Sequence, residues 1–152
     1  MRRILFAIVL VCVLGVTVAV QSAPPSPADE VIALTKEMWA AEIRGDVAGS
    51  MKYVADDYTE FNGQYPTRLD GKGINMTLAE ANNGGSTKTV AGDMANARVQ
   101  VYGDVAILSY NYIGAAKDKD GKMEATKAKS TRVYVKKDGK WWLVHANFAP
   151  AN

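Results

Sequence analysis

Ser130-Thr-Arg-Val-Tyr-Val-Lys-Lys-Asp-Gly-Lys-Trp-Trp-Leu-Val-His-Ala-Asn-Phe-Ala-Pro150 reads as two strands rich in β-branched and aromatic residues. They meet at Asp138-Gly139, and Asp-Gly between apolar runs is the strongest short-range hairpin signal a sequence offers. The hairpin sets an arginine, a tyrosine, two tryptophans and the chain's single histidine on neighbouring strands. Large side chains with polar tips at that density suit one wall of a cavity.

Working outward, the same period-2 pattern covers roughly Thr87–Tyr102 and Val105–Ala116, and extends the hairpin's first strand back to Met123. Gly103-Asp104 and Asp118–Gly121 separate these strands. Tyr58-Thr-Glu-Phe61 is a shorter strand ahead of an Asn62-Gly63 turn. The N-terminal half is helical. Ser26 caps a helix with Pro27 in its first turn and Asp29 and Glu30 near the positive end of the dipole. Val31, Leu34, Met38 and Ala41 then form an apolar stripe that Gly45 ends. Asp46 is expected to cap a second helix reaching about Val54, and a poorer third runs from about Lys72 to Asn82. Helices followed by a run of long strands define an α+β domain, with the helices on one face of an antiparallel sheet.

Alternation sorts the strands into faces. Ser130, Arg132 and Tyr134 share one, and Ala106, Leu108, Tyr110 and Tyr112 share one on the preceding strand. On the last strand, Trp142, Val144, Ala146 and Phe148 are expected opposite Trp141, Leu143, His145 and Asn147. Neither face of the sheet is plainly polar. A sheet apolar on both sides needs two coverings; the helices supply one, and a second copy of the chain is the expected other, giving a homodimer through the sheet.

Ahead of the domain, Arg2-Arg3, an apolar run from Ile4 to Val20 and small residues before Pro24-Pro25-Ser26-Pro27 have the layout of a secretory signal. The chain therefore divides into a signal peptide over 1–22, a linker over 23–28 and one domain over 29–152, secreted or periplasmic, with an N-terminal membrane anchor as the alternative. The run contains Cys12, the only cysteine. Without Arg2 and Arg3, the 18 basic residues fall to the number of acidic ones, 16. Nothing in that balance calls for a nucleic-acid partner, nor for a membrane partner once the signal is cleaved. One histidine and one cysteine exclude a cysteine-histidine zinc site or a paired-histidine motif. No metal or other cofactor is expected, for the chain has no glycine-rich phosphate loop and no haem signature. Asn75-Met76-Thr77 has the pattern of a glycosylation acceptor.

Gly45-Asp46, Tyr58-Thr-Glu-Phe61, Gly103-Asp104 and Thr131-Arg-Val-Tyr…Asp138-Gly-Lys-Trp…Leu143-Val-His145 resemble the nuclear transport factor 2-like (SnoaL-like) superfamily. Within it the likeness is to the association (hub) domain of calcium/calmodulin-dependent protein kinase II and its stand-alone bacterial relatives. The resemblance spans about Asp29 to Pro150. It implies a cone-shaped curved sheet with three N-terminal helices packed on its concave face, a cavity between them, and dimers through the sheet. In hub domains several arginines point into that cavity and can hold a carboxylate. Arg132 matches one of those positions, while Tyr112 and Phe148 stand where two others are expected.

The expected pocket is therefore Arg132 among Tyr112, Tyr134, Tyr110, Phe148, Tyr53, Phe61 and Trp39, suited to a small apolar carboxylate or carbonyl ligand. An internal acid, Glu60 or Asp57, is the alternative partner for Arg132. His145 is the default acid-base residue by its pKa, but alternation sets it on the face away from Arg132. Asp56, Asp57 and Asp70 fall at turn-like positions, and no acid is expected on the strand faces. Three functions follow: a non-catalytic small-molecule-binding homodimer; an isomerase- or cyclase-type enzyme acting on a hydrophobic carbonyl compound; or an oligomeric assembly module.

Overall fold

The structure, a computed structural model, describes residues 23–83 and 85–151. The signal read over 1–22 lies outside the described residues. Helix α1 spans Pro27–Ile43, α2 Val47–Ser50 and α3 Lys72–Asn83. The strands are β1 Val54–Asn62, β2 Leu69–Asp70, β3 Thr87–Tyr102, β4 Val105–Asp118, β5 Met123–Lys137 and β6 Lys140–Pro150. They form one six-stranded curved sheet in the order β2-β1-β6-β5-β4-β3. Every neighbouring pair is antiparallel except β1 and β6, which run parallel.

Helix α1 begins where its sequence says it should. Ser26 Oγ accepts from the Asp29 amide and the Asp29 carboxylate accepts from the Ser26 amide, each at 3.2 Å. This capping box satisfies two backbone donors at the helix start. The helix buries Val31, Thr35, Met38, Trp39 and Ala41 and lies across β3 and β4. Gly45, at φ +73°, ends it in the left-handed conformation that glycine tolerates. The hairpin turn is as the sequence requires: Asp138 and Gly139 both have positive φ, 51° and 75°, the signature of a type I′ turn.

The second helix is a correction. Instead of reaching Val54, α2 stops after a single turn at Ser50. Val54 already belongs to β1, paired with Leu143 on β6, and the Leu143 amide donates to Tyr53 O at 2.8 Å. Gly49 weakens the helix, and pairing with β6 outweighs what remains of helical preference. The acceptor pattern at Asn75-Met76-Thr77 falls on a helix and not on a loop. Asn75 lies inside α3, 6 % exposed, with its amide donating to Gly71 O at 2.9 Å.

A second correction concerns β6. Tyr134 pairs with Leu143, but Val133 pairs with His145 and Arg132 with Ala146. Val144 is thus an extra residue on β6, a bulge that reverses alternation beyond it. Trp141 and Leu143 consequently face the helices along with Ala146 and Phe148, not outward with His145. Trp141 is buried, its indole N–H donating to Glu30 of α1 at 2.8 Å. Trp142, paired with Val135, faces away.

Candidate functional site

Between the inner sheet face, the C-terminal half of α1 and α3 lies an open cavity of about 560 Å³. Arg132 reaches it from the middle of β5, 7 % exposed. Its Nε donates to the Tyr110 hydroxyl at 3.0 Å. The guanidinium stands over the Trp39 ring at 5.8 Å and the Phe148 ring at 5.1 Å from their centroids, distances at which ring quadrupoles attract a cation. Trp39 in turn packs edge-on against Tyr110 and Tyr112. Among the described residues no carboxylate comes within 4.0 Å of Arg132. Neither Glu60 nor Asp57 pairs with it, contrary to the alternative drawn from the sequence. Asp57 is exposed on β1.

The expected pocket residues divide into three groups. Arg132, Tyr112, Phe148 and Trp39 line the cavity. Tyr110 and Tyr134 sit behind it: Tyr110 holds Arg132, and Tyr134 is fully buried with its hydroxyl 2.7 Å from Thr35 Oγ1. Tyr53 and Phe61 do not line the cavity, which corrects their assignment. Tyr53 turns its hydroxyl to Glu37 on α1, 2.8 Å away. Phe61 pairs in register with Asn147 on the outer face and is 49 % exposed. His145 also lies outside. Its Nδ1 is 2.9 Å from Thr59 Oγ1 and its ring meets Phe61 edge-on.

Two acids line the cavity: Glu60, weighed above as an internal partner for Arg132, and Glu42, which was not foreseen there. Glu60 stands on β1, whose parallel register pairs it with Ala146 and so turns it inward. Its carboxylate accepts from the Tyr58 hydroxyl at 2.7 Å and from the Asn62 amide at 3.0 Å. Glu42 projects from the last turn of α1, open to the space it lines. The surrounding protein raises its carboxyl pKa, Arg132 opposes that rise, and Glu60 adds to it. Burial, and then the charge of Glu60, push the Tyr58 phenol up. Burial, and then Glu42, do the same for Tyr112. Both phenols therefore stay protonated and able to donate. The sequence did hold signals for these acids: Glu42 follows Trp39 by three positions on the buried stripe, and Glu60 follows the buried Tyr58 by two.

At this geometry the comparisons with known proteins converge. Residues 27–151 match the model of the calcium/calmodulin dependent protein kinase II association domain, and the chain belongs to that family. It is similar to the hub homology domain from Chlamydomonas reinhardtii, at 24 % identity and a TM-score of 0.72, covering 84 % of this chain and 100 % of that one. A putative association domain from Xanthomonas campestris aligns at 23 % identity and a TM-score of 0.70, over 89 % of this chain and 98 % of that one. A putative ketosteroid isomerase from Parabacteroides distasonis shares the fold at 20 % identity and a TM-score of 0.68, over 84 % of this chain and 89 % of that one. Further neighbours are described as NTF2-like or cystatin-like folds. No curated protein sequence matches the chain.

Proposed function

We propose that this protein is an exported, homodimeric domain that binds a small molecule in the cavity without transforming it, the acidic or carbonyl end of the ligand resting on Arg132. One observation carries the reading. A buried arginine spends a single donor on Tyr110 and faces a cavity with no carboxylate in contact. A charge held that way costs several kcal/mol unless something matches it. A bidentate carboxylate suits the guanidinium fork, and the rings of Trp39 and Phe148 suit an apolar body beside it. Neither Glu42 nor Glu60 makes a hydrogen bond to Arg132 or Tyr112, which favours binding over proton transfer.

Self-association has its own support. The family is an association domain by description. The outer sheet face carries Ile107, Val133, Val135 and Trp142 at its centre and leaves Ile113 50 % and Phe61 49 % exposed. An apolar face of that extent is suited to a second copy.

The test is a thermal-shift screen of the purified protein against small carboxylates and apolar carbonyl compounds, beside Arg132→Ala. A rise that vanishes in the variant supports the reading by linkage of binding to stability. No rise with any compound, together with a variant that is merely less stable, makes Arg132 a structural residue and leaves assembly as the function.

A further inference from the structure

Arg132 and Glu60 stand in one row across the sheet. Arg132 pairs with Ala146, and Ala146 pairs with Glu60 on its other side. Two strand spacings of roughly 4.8 Å set their backbones about 10 Å apart. Both side chains line the cavity, yet they do not form an ion pair.

Each retains unused capacity. A guanidinium has five N–H donors and a carboxylate about four acceptor positions. Arg132 has spent one donor on Tyr110, and Glu60 one acceptor each on Tyr58 and Asn62. Those last two bonds hold the Glu60 carboxylate on its own side of the cavity. Glu42 brings a second carboxyl near enough to interact with both Glu60 and Arg132.

Opposite charges held apart along one wall are complementary to a ligand carrying both charges in the reverse order. Resting on the binding reading above, we infer that the ligand is zwitterionic, an amino acid-like molecule with its carboxylate on Arg132 and its ammonium on Glu60. A plain carboxylate would satisfy Arg132 and leave Glu60 facing an apolar body, at the cost of desolvating a charge with no partner. A dicarboxylate would set like charges against Glu60. Arg44, Lys88 and Lys127 also border the cavity but are exposed. They bear on the approach of a ligand, and salt screens them.

Isothermal titration of the full chain decides the matter, using ω-amino acids of about three to six carbons beside fatty acids of equal length. The amino acid should bind about ten-fold tighter at the best length, since a charge-assisted hydrogen bond contributes roughly 1.5–3 kcal/mol. Glu60→Gln should remove that preference from both sides, weakening the amino acid about ten-fold and tightening the fatty acid, which no longer desolvates an unpaired carboxylate. Arg132→Met should remove binding of both. A fatty acid bound through Arg132 as tightly as its amino acid overturns the zwitterion and leaves the binding reading standing. No binding in either series overturns both. A preference untouched by Glu60→Gln overturns the role of Glu60. Should that variant fail to fold, the comparison on the unaltered protein still decides the ligand class.

Discussion

The hydroxyls of Thr35 and Tyr134 lie 2.7 Å apart, and both residues are fully buried. Thr35 has a single proton and donates it to Val31 O at 2.7 Å, so Tyr134 is the donor between them. This relay ties α1 to β5 two residues from Arg132, and it fixes the helix that carries Trp39 and Glu42. Tyr134→Phe removes the donor and leaves Thr35 bonded to its own helix. The expected loss is about 1 kcal/mol, or roughly 4 °C in Tm. Thr35→Val removes the acceptor and orphans the buried phenol, and should cost about twice as much. Thermal melts of the two variants check that order, and the reverse order would refute the direction of the relay.

Arg132→Met separates a binding arginine from a structural one. Methionine fills similar space without a charge to desolvate. The unliganded variant should range from unchanged to about 2 kcal/mol more stable, while its ligand-dependent shift disappears. Gain of stability with loss of binding is the usual trade at a site built for a partner. A variant more than about 1 kcal/mol less stable would mean that the Tyr110 bond and the ring contacts outweigh the buried charge.

Tyr112 rests on glycine. Gly92 and Gly114 are paired across β3 and β4. A Cβ built at Gly114 would come 2.6 Å from Tyr112 Cε1, and one at Gly92 2.9 Å from Cε2. The two glycines leave room for a ring that packs edge-on to Trp39, 5.3 Å between centroids. Gly114→Ala should displace Tyr112 into the cavity, weakening ligand binding several-fold with a Tm change of only a few degrees, because the displaced ring borders open space. Equal affinity in the variant would show that Tyr112 does not shape the site.

How far the sequence disclosed all this differs between fold and site. Ser26, Gly45 and Asp138-Gly139 act through local backbone chemistry, so the α1 limits and the hairpin could be read directly. The strand faces of β4 and β5 followed because alternation runs unbroken through Tyr110 and Arg132. On β6 it does not. A bulge at Val144 depends on how β5 pairs with β6, and no period within Lys140–Pro150 announces it. That is why Trp141 and Leu143 were expected on the wrong face while His145 was placed correctly. Glu60 could be read as an internal acid but not placed relative to Arg132, for a related reason. Its orientation follows from the parallel β1–β6 register, a long-range pairing between segments more than eighty residues apart. Phe61 went the opposite way for the same cause.

The outer face provides its own test. Val133 lies mid-strand between Ile107 and His145, at the centre of the proposed dimer surface. Val133→Glu would set a carboxylate and its copy into that surface, where unpaired buried charge costs several kcal/mol. Light scattering should find the variant as monomer at concentrations where the unaltered protein is dimeric, with its cavity residues undisturbed. A variant that remains dimeric would remove the sheet face as the interface. A protein that is monomeric to begin with would remove the dimer.

Glu42 makes the last prediction a matter of sign. Its folded pKa is raised above the ordinary value of 4.5, first by desolvation from the protein around it, with Arg132 opposing and Glu60 adding. Because Glu42 is exposed to the open cavity, solvent screens the effect and keeps it small. The folded protein therefore holds this proton more tightly than the unfolded chain does. Above the folded pKa, ionised Glu42 subtracts from stability. As pH falls from the folded pKa toward 4.5 the penalty is relieved, and below 4.5 it is gone. Glu42→Gln should accordingly melt higher than the unaltered protein at pH 7.5, with the gap closing by about pH 4. Carboxylates that do not interact with Glu42, Glu30 among them, cancel in that difference. A gap that persists at pH 4 would mean that glutamine gains by packing or hydrogen bonding. An unaltered protein that melts higher at pH 7.5 would mean that attraction to Arg132 outweighs the cost of holding the charge in the cavity.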